Sequence, residues 1–151
     1  MASETASQRE VATETGLEAW QAGVVGGILG SVAFGVLMVA MAPEMLETMI
    51  PSMYGLEGGI AGWIVHVSHG AILGVVFAAV LAGVGRSDLG VGAAAGAGLG
   101  YGLVVWATLA VVVMPIWLGM PEMVPNIDVG SLVGHAVYGL LLGVAYGALT
   151  Q

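Results

Sequence analysis

The sequence predicts an all-α integral membrane protein, a four-helix bundle built from two tandem parallel two-helix repeats, and three observations lead there. Of the 151 residues, 58% are hydrophobic and only 8% charged, with a mean hydropathy of +1.00, a composition far from that of water-soluble domains. Four stretches carry no charge and are long enough to cross about 30 Å of hydrocarbon at roughly 1.5 Å per residue. Finally, His66-x-x-x-Gly70-x-x-x-Gly74-Val75 returns as His135-x-x-x-Gly139-x-x-x-Gly143-Val144, and such self-similarity speaks of architecture before chemistry.

Residues 1–17 are polar, with Glu4, Glu10 and Glu14 around Arg9. They read as an acidic disordered tail, and they lack the positive start and short apolar core of a secretory signal. The first transmembrane hairpin takes 18–83, with spans at about 19–42 and 60–83; the second takes 84–151, with spans at about 89–114 and 129–150. Upstream of the histidine motif, Gly26, Gly30, Phe34 and Pro43 align with Gly98, Gly102, Trp106 and Pro115. All five prolines (Pro43, Pro51, Pro115, Pro121 and Pro125) fall in the two longer connections, where helices are expected to stop and turn. Within the first connection, Pro43–Ile50 is expected to form a short interfacial helix. Met45, Leu46, Met49 and Ile50 would face lipid, and Glu44 and Glu47 water.

Because each repeat contains two spans, both halves share one orientation, related by a pseudo-two-fold axis along the membrane normal. Arg9 and Arg86 are the only basic residues, and both fall on one side of a four-span arrangement. The positive-inside rule then places both termini and the short loop 84–88 in the cytoplasm of a cell-membrane protein. Trp20 marks the inner boundary, and Trp63 and Trp117 the outer one, as the interfacial preference of indole requires. Trp106 falls mid-span and reads as core packing.

Composition also excludes. Without cysteine the chain supplies no disulfide, thiolate metal site or thiol nucleophile. A net charge of −8 with no lysine offers nucleic acid no basic patch, and it fits a high-salt habitat, where carboxylates stay hydrated and their repulsion is screened. Four spans leave no room for a separate soluble enzyme domain. The glycine strings near Gly98 sit inside a span with no preceding strand, which removes a dinucleotide reading. No Ser/His/Asp set or pair of intramembrane carboxylates can be assembled, so the protein is read as non-enzymatic.

The 26 glycines matter because lipid supplies no hydrophobic drive between helices, and close backbone approach must supply the association instead. Gly26, Gly30, Gly70, Gly74, Gly98, Gly102, Gly139 and Gly143 are the expected packing positions. They also suggest homo-oligomers or a membrane-protein partner. His66, His69 and His135 lie on or beside these seams, and intramembrane ionisable residues are functional candidates. The plain expectation is that the rings hydrogen-bond across a helix pair, to Ser68, Tyr138 or a carbonyl. The alternatives are a haem held by His66 and His135, with Gly70 and Gly139 admitting the porphyrin, and a divalent-metal site that adds His69, with Glu57 or Asp128, to that histidine pair. A relay for protons or small solutes is a third. Met41, Met45, Met49 and Met53 could pass on Cu(I), although Pro51 interrupts that stripe.

The run Gly134-His135-Ala136-Val137-Tyr138-Gly139-Leu140-Leu141-Leu142-Gly143-Val144-Ala145-Tyr146-Gly147, with its partner around His66, resembles small multi-pass membrane proteins of haloarchaea and bacteria, including YagU-like inner-membrane proteins. The resemblance implies a membrane location and carries over no activity, cofactor or site. The function expected is that of a scaffold, accessory or stress-related membrane protein. The alternative is solute, metal or haem binding or transport through His66, His69 and His135.

Overall fold

A computed structural model describes residues 16–151; the acidic tail and Arg9 lie outside the described residues except for Gly16 and Leu17. The chain forms α1 (Ala19–Met41), a short helix α2 that is π-wound over Met45–Met49 and α-wound over Ile50–Ser52, then α3 (Gly59–Gly83), α4 (Val91–Trp117) and α5 (Val129–Leu149). The four long helices are each long and apolar enough to cross a membrane. Among the described residues there is no strand.

Local chemistry sets the helix starts. Glu18 and Gln21 form a reciprocal capping box at α1, with the Glu18 amide donating to Gln21 Oε1 at 3.1 Å. Asp128 caps α5 by accepting from the Ser131 amide at 2.6 Å. Between α3 and α4 the chain reverses at Gly85, whose φ of +69° suits glycine best. The Leu17 amide donates to the Leu149 carbonyl at 2.7 Å, and the Tyr146 hydroxyl donates to the Ser87 carbonyl at 3.0 Å. Both described chain ends and Arg86 therefore share one end of the bundle; α2 and the longer connections occupy the other.

α1 packs closely against α3 and α5, and α5 against α4. In these interfaces backbone meets backbone. A Cβ on Gly27 would strike the Gly70 carbonyl, one on Gly23 the Gly74 carbonyl, one on Gly98 the Gly139 carbonyl and one on Gly143 the Ala94 carbonyl. Gly102 lies against His135 and Gly139. Gly26 and Gly30 face the other way, toward α5: a Cβ there would lie 2.9 Å from the Leu142 carbonyl oxygen and 2.6 Å from that of Tyr138. The alignment of Gly26 with Gly98 is thus displaced by one residue, because the α1 glycine that meets its hairpin partner as Gly98 does is Gly27. One position turns a helix by about 100°, enough to move a residue from one neighbour to the next. α3 and α4 do not approach in this way. Side chains close that seam: the Tyr101 hydroxyl donates to the Leu73 carbonyl at 2.8 Å, and the Phe77 and Tyr101 rings lie 5.3 Å apart.

The core is filled by Phe34, Phe77, Tyr138, Leu142 and Tyr146, while Ile60, Ile64, Ile72 and Val104 point outward, as a lipid-facing surface requires.

Two of the prolines explain the π-wound segments. Pro51 has no N–H for the Glu47 carbonyl, and Pro115 none for that of Val111. In both places the bonds just ahead widen to five residues, from Ile50 to Met45 and from Met114 to Leu109, which relieves the clash of the ring with the carbonyl four residues back. Each abandoned carbonyl is then met by an amide returning from the following connection: Gly58 donates to Glu47 and Asn126 to Val111, both at 3.1 Å. Helix α4 accordingly runs through Pro115 to Trp117 instead of stopping near 114. In this role Pro115 matches Pro51, not Pro43.

α2 does not lie with its apolar side in lipid. Leu46 is 2% and Ile50 8% exposed, because the bare Gly62 leaves a notch on α3 that receives the Leu46 backbone. Trp63, near the start of α3, covers Gly35 of α1, whereas Trp20 and Trp117 are exposed.

Candidate functional site

The three histidines stand toward the end of the bundle that carries the long connections, in two separate groups. In the first, α1 supplies Ser31 and Phe34, α3 supplies Trp63 and His66, and α5 supplies Ser131 and His135. His66 Nε2 donates to the Ser31 carbonyl at 2.9 Å. His135 Nδ1 donates to the Ser131 carbonyl of its own helix at 2.8 Å, with the Ser131 hydroxyl 3.4 Å away. Because a carbonyl can only accept, these contacts assign the tautomers: N–H at Nε2 of His66 and at Nδ1 of His135. The lone pairs left are Nδ1 of His66 and Nε2 of His135.

Phe34 packs against both imidazoles. Its ring centroid is 5.4 Å from that of His66 and 4.9 Å from that of His135, both edge-on. Trp63 adds a further edge contact to His66 at 6.5 Å. Ser31 is 1% exposed, and its hydroxyl turns back to the Ile28 carbonyl at 2.9 Å, so it is satisfied without the histidine.

His69 belongs to a second group. Its Nε2 is 2.7 Å from the hydroxyl of Tyr54, which reaches down from the connection after α2. The Tyr54 ring is 5.6 Å from His69 and 5.5 Å from Trp117, and the Trp117 indole donates to the Met53 carbonyl at 2.9 Å. This set ties α3, the first long connection and the end of α4 together.

The haem arrangement does not fit these residues. A Cβ on Gly70 would meet Ser31 and the Gly27 carbonyl, and one on Gly139 would meet Gly98 and Gly102, so the glycines that were to admit a porphyrin are occupied by neighbouring helices. Among the described residues no three of His, Asp or Glu gather closely enough to hold a metal ion; His69 turns to Tyr54, and Asp128 serves as a cap. Imidazoles bonded to carbonyls leave Ser68 and Tyr138 out of the histidine bonding. Tyr138 instead donates from α5 to the Gly70 carbonyl of α3 at 2.9 Å, a tie across the bundle.

Sequence reasoning passed over Phe34 as the ring packed against both His66 and His135, and Tyr54 as the partner of His69. The repeat alignment did contain a signal for the first, since it paired Phe34 with mid-span Trp106. Nothing in local pattern announces the second. No protein-family model, curated protein or solved structure matches the chain.

Proposed function

We propose that this protein is a non-enzymatic scaffold or accessory subunit of the cell membrane, working by helix association with a second copy or another membrane protein. The observation that supports this is a contrast between two faces of α4. Its inner glycines, Gly98 and Gly102, are closed by the backbone of α5, whereas Gly92, Gly96 and Gly100 meet no atom within 4 Å. Each exposed glycine weakens a helix by about 1 kcal/mol relative to alanine, and in lipid that loss is recovered only where another backbone packs closely. α4 is also the least covered span, with 22% of its apolar window buried against 39% for α1 and α5.

The packed histidine cluster supports the same reading, since Phe34 lies edge-on against both His66 and His135. We read the two hairpins as tandem copies: the Gly27–Gly70 and Gly98–Gly139 contacts support this, and the histidine motif supports kinship with the YagU-like proteins. Arg86 supports placing the end that holds the described termini in the cytoplasm.

The test is the mass of the protein in mild detergent and in bilayers, with Gly96→Leu and Gly100→Leu beside the parent. The expected result is an assembly larger than one chain that both variants weaken while helix content holds. A monomeric parent in bilayers, without a partner recovered by cross-linking from Gly96→Cys, would overturn the reading.

A further inference from the structure

We propose that the outer half of α4 is a hinged arm, held against α3 by a clasp of Tyr54, His69 and Trp117, and that releasing the clasp opens the α3–α4 seam at that end alone. The proposal does not depend on the scaffold reading. Three features of the fold carry it.

The first is the seam itself. The other neighbouring helices lock through glycine contacts between backbones, but α3 and α4 meet through side chains. Its inner part is pinned by the Tyr101 hydroxyl on the Leu73 carbonyl and by the Phe77 and Tyr101 rings. Beyond Trp106, Met114 packs on the core, and the polar and aromatic ties that cross to the α3 side are those of the clasp: Trp117 to the Met53 carbonyl, the Tyr54 ring near Trp117 and His69, and the Tyr54 hydroxyl on His69.

The second is the hinge. Between the pinned part and the clasp, α4 is π-wound over Trp106–Val113, and Pro115 removes the amide that would complete an α-helical turn on Val111. The Thr108 hydroxyl donates to the Val104 carbonyl at 2.8 Å and lies 3.4 Å from that of Val105, so carbonyls at the junction have a side-chain donor besides the backbone amides. Asn126 moves with the arm, because its amide is bonded to Val111. At the start of the π-wound segment the Trp106 indole N–H is buried without an acceptor, a cost carried at the junction itself.

The third is where the clasp lies. Trp117 and Tyr54 are both exposed, at the end of the span, so their donors can exchange protein acceptors for water. Tyr101 and Tyr138 lie deeper in hydrocarbon, where a lost acceptor is not replaced. The clasp is therefore the cheapest part of the seam to release.

The chain has no cysteine, so spin labels go only where cysteines are introduced. Ile60 and Ile116 report the clasp end of α3 and α4, and Val84 and Val91 the opposite end; all four are exposed. In bilayers the parent should give one narrow distance for each pair. Tyr54→Phe with Trp117→Phe should add a longer component to the Ile60–Ile116 pair and leave the Val84–Val91 pair unchanged. Adding Pro115→Ala, which restores the amide for Val111, should suppress that component. An unchanged Ile60–Ile116 distance after release of the clasp, lengthening of both pairs together, or a long component that survives Pro115→Ala would overturn the proposal. If the double substitution does not fold, Tyr54→Phe alone is measured against His69→Gln, which keeps a partner for the Tyr54 hydroxyl: lengthening is expected in the former and not in the latter, and equal distances in the two would overturn it.

Discussion

The amide of Asn126 donates to the carbonyl of Val111 at 3.1 Å. That carbonyl lies four residues before Pro115 and has lost its helical donor to the pyrrolidine ring. The same exchange joins Gly58 to Glu47, four residues before Pro51. Both long connections are thereby folded back onto the helices they leave, and a proline that reads as a stop signal acts as the anchor of the loop that follows it. In a bilayer this matters more than in water, because a bare carbonyl in the apolar region has no solvent to turn to.

If that exchange holds the connections, the amides of Asn126 and Gly58 should resist hydrogen exchange although both lie in loops. Asp128 and Glu57, whose amides donate to no backbone carbonyl, serve as the comparison. Exchange by Asn126 at the rate of a free loop amide would contradict the arrangement.

Glycines with the same neighbours in sequence should differ sharply in tolerance. Gly139→Leu inserts a side chain into the backbone of α4 and should cost about 1–3 kcal/mol or more. Gly100→Ala has open space and should stabilise the isolated chain by up to about 1 kcal/mol through helix propensity. Unfolding titrations in mixed micelles measure both. Equal effects would remove the distinction between closed and open glycine faces.

Titration of the purified protein with haemin should produce no Soret band of the bis-imidazole type, because the glycines beside His66 and His135 abut neighbouring helices and both rings are packed against Phe34. A stoichiometric band lost on substituting both histidines would put the haem alternative ahead of the scaffold reading.

Tyr138→Phe removes the tie from α5 to the Gly70 carbonyl, and His66→Phe the one from α3 to Ser31. Each should cost about 0.6–1.7 kcal/mol, the range of interhelical hydrogen bonds in membranes. Tyr54→Phe should cost less, since its hydroxyl lies where water can take over. The order of the three unfolding midpoints checks this, and a larger loss for Tyr54→Phe than for Tyr138→Phe would show that depth does not set the cost.

Much of the fold was legible in particular residues. The uncharged runs are matched by helices that begin at Ala19, Gly59, Val91 and Val129, because an apolar stretch must satisfy its backbone internally once in lipid. Asp128 reads in the sequence as a possible metal ligand, yet in the fold it caps α5. The histidines could be flagged as costly polar groups in a span, but not grouped: His66 and His69 are three residues apart, yet one meets Ser31 and Phe34 and the other Tyr54. Leu46 and Ile50 looked like lipid-facing residues of an interfacial helix, because nothing near them in sequence announces that Gly62 offers a notch.

The sequence by itself determined the membrane class, the four spans and the residues able to approach closely, because hydropathy, charge and the absence of a side chain act at each position without reference to the rest of the chain. Only the tertiary structure decided how each helix is turned about its axis: that Gly27 and not Gly26 meets α3, that Phe34 packs on two histidines, and that Asn126 returns to Val111. In water an amphipathic stripe would have announced the buried face. These spans are apolar on every side, so no stripe exists, and rotation is settled by which backbones can touch and which polar atoms must find a partner.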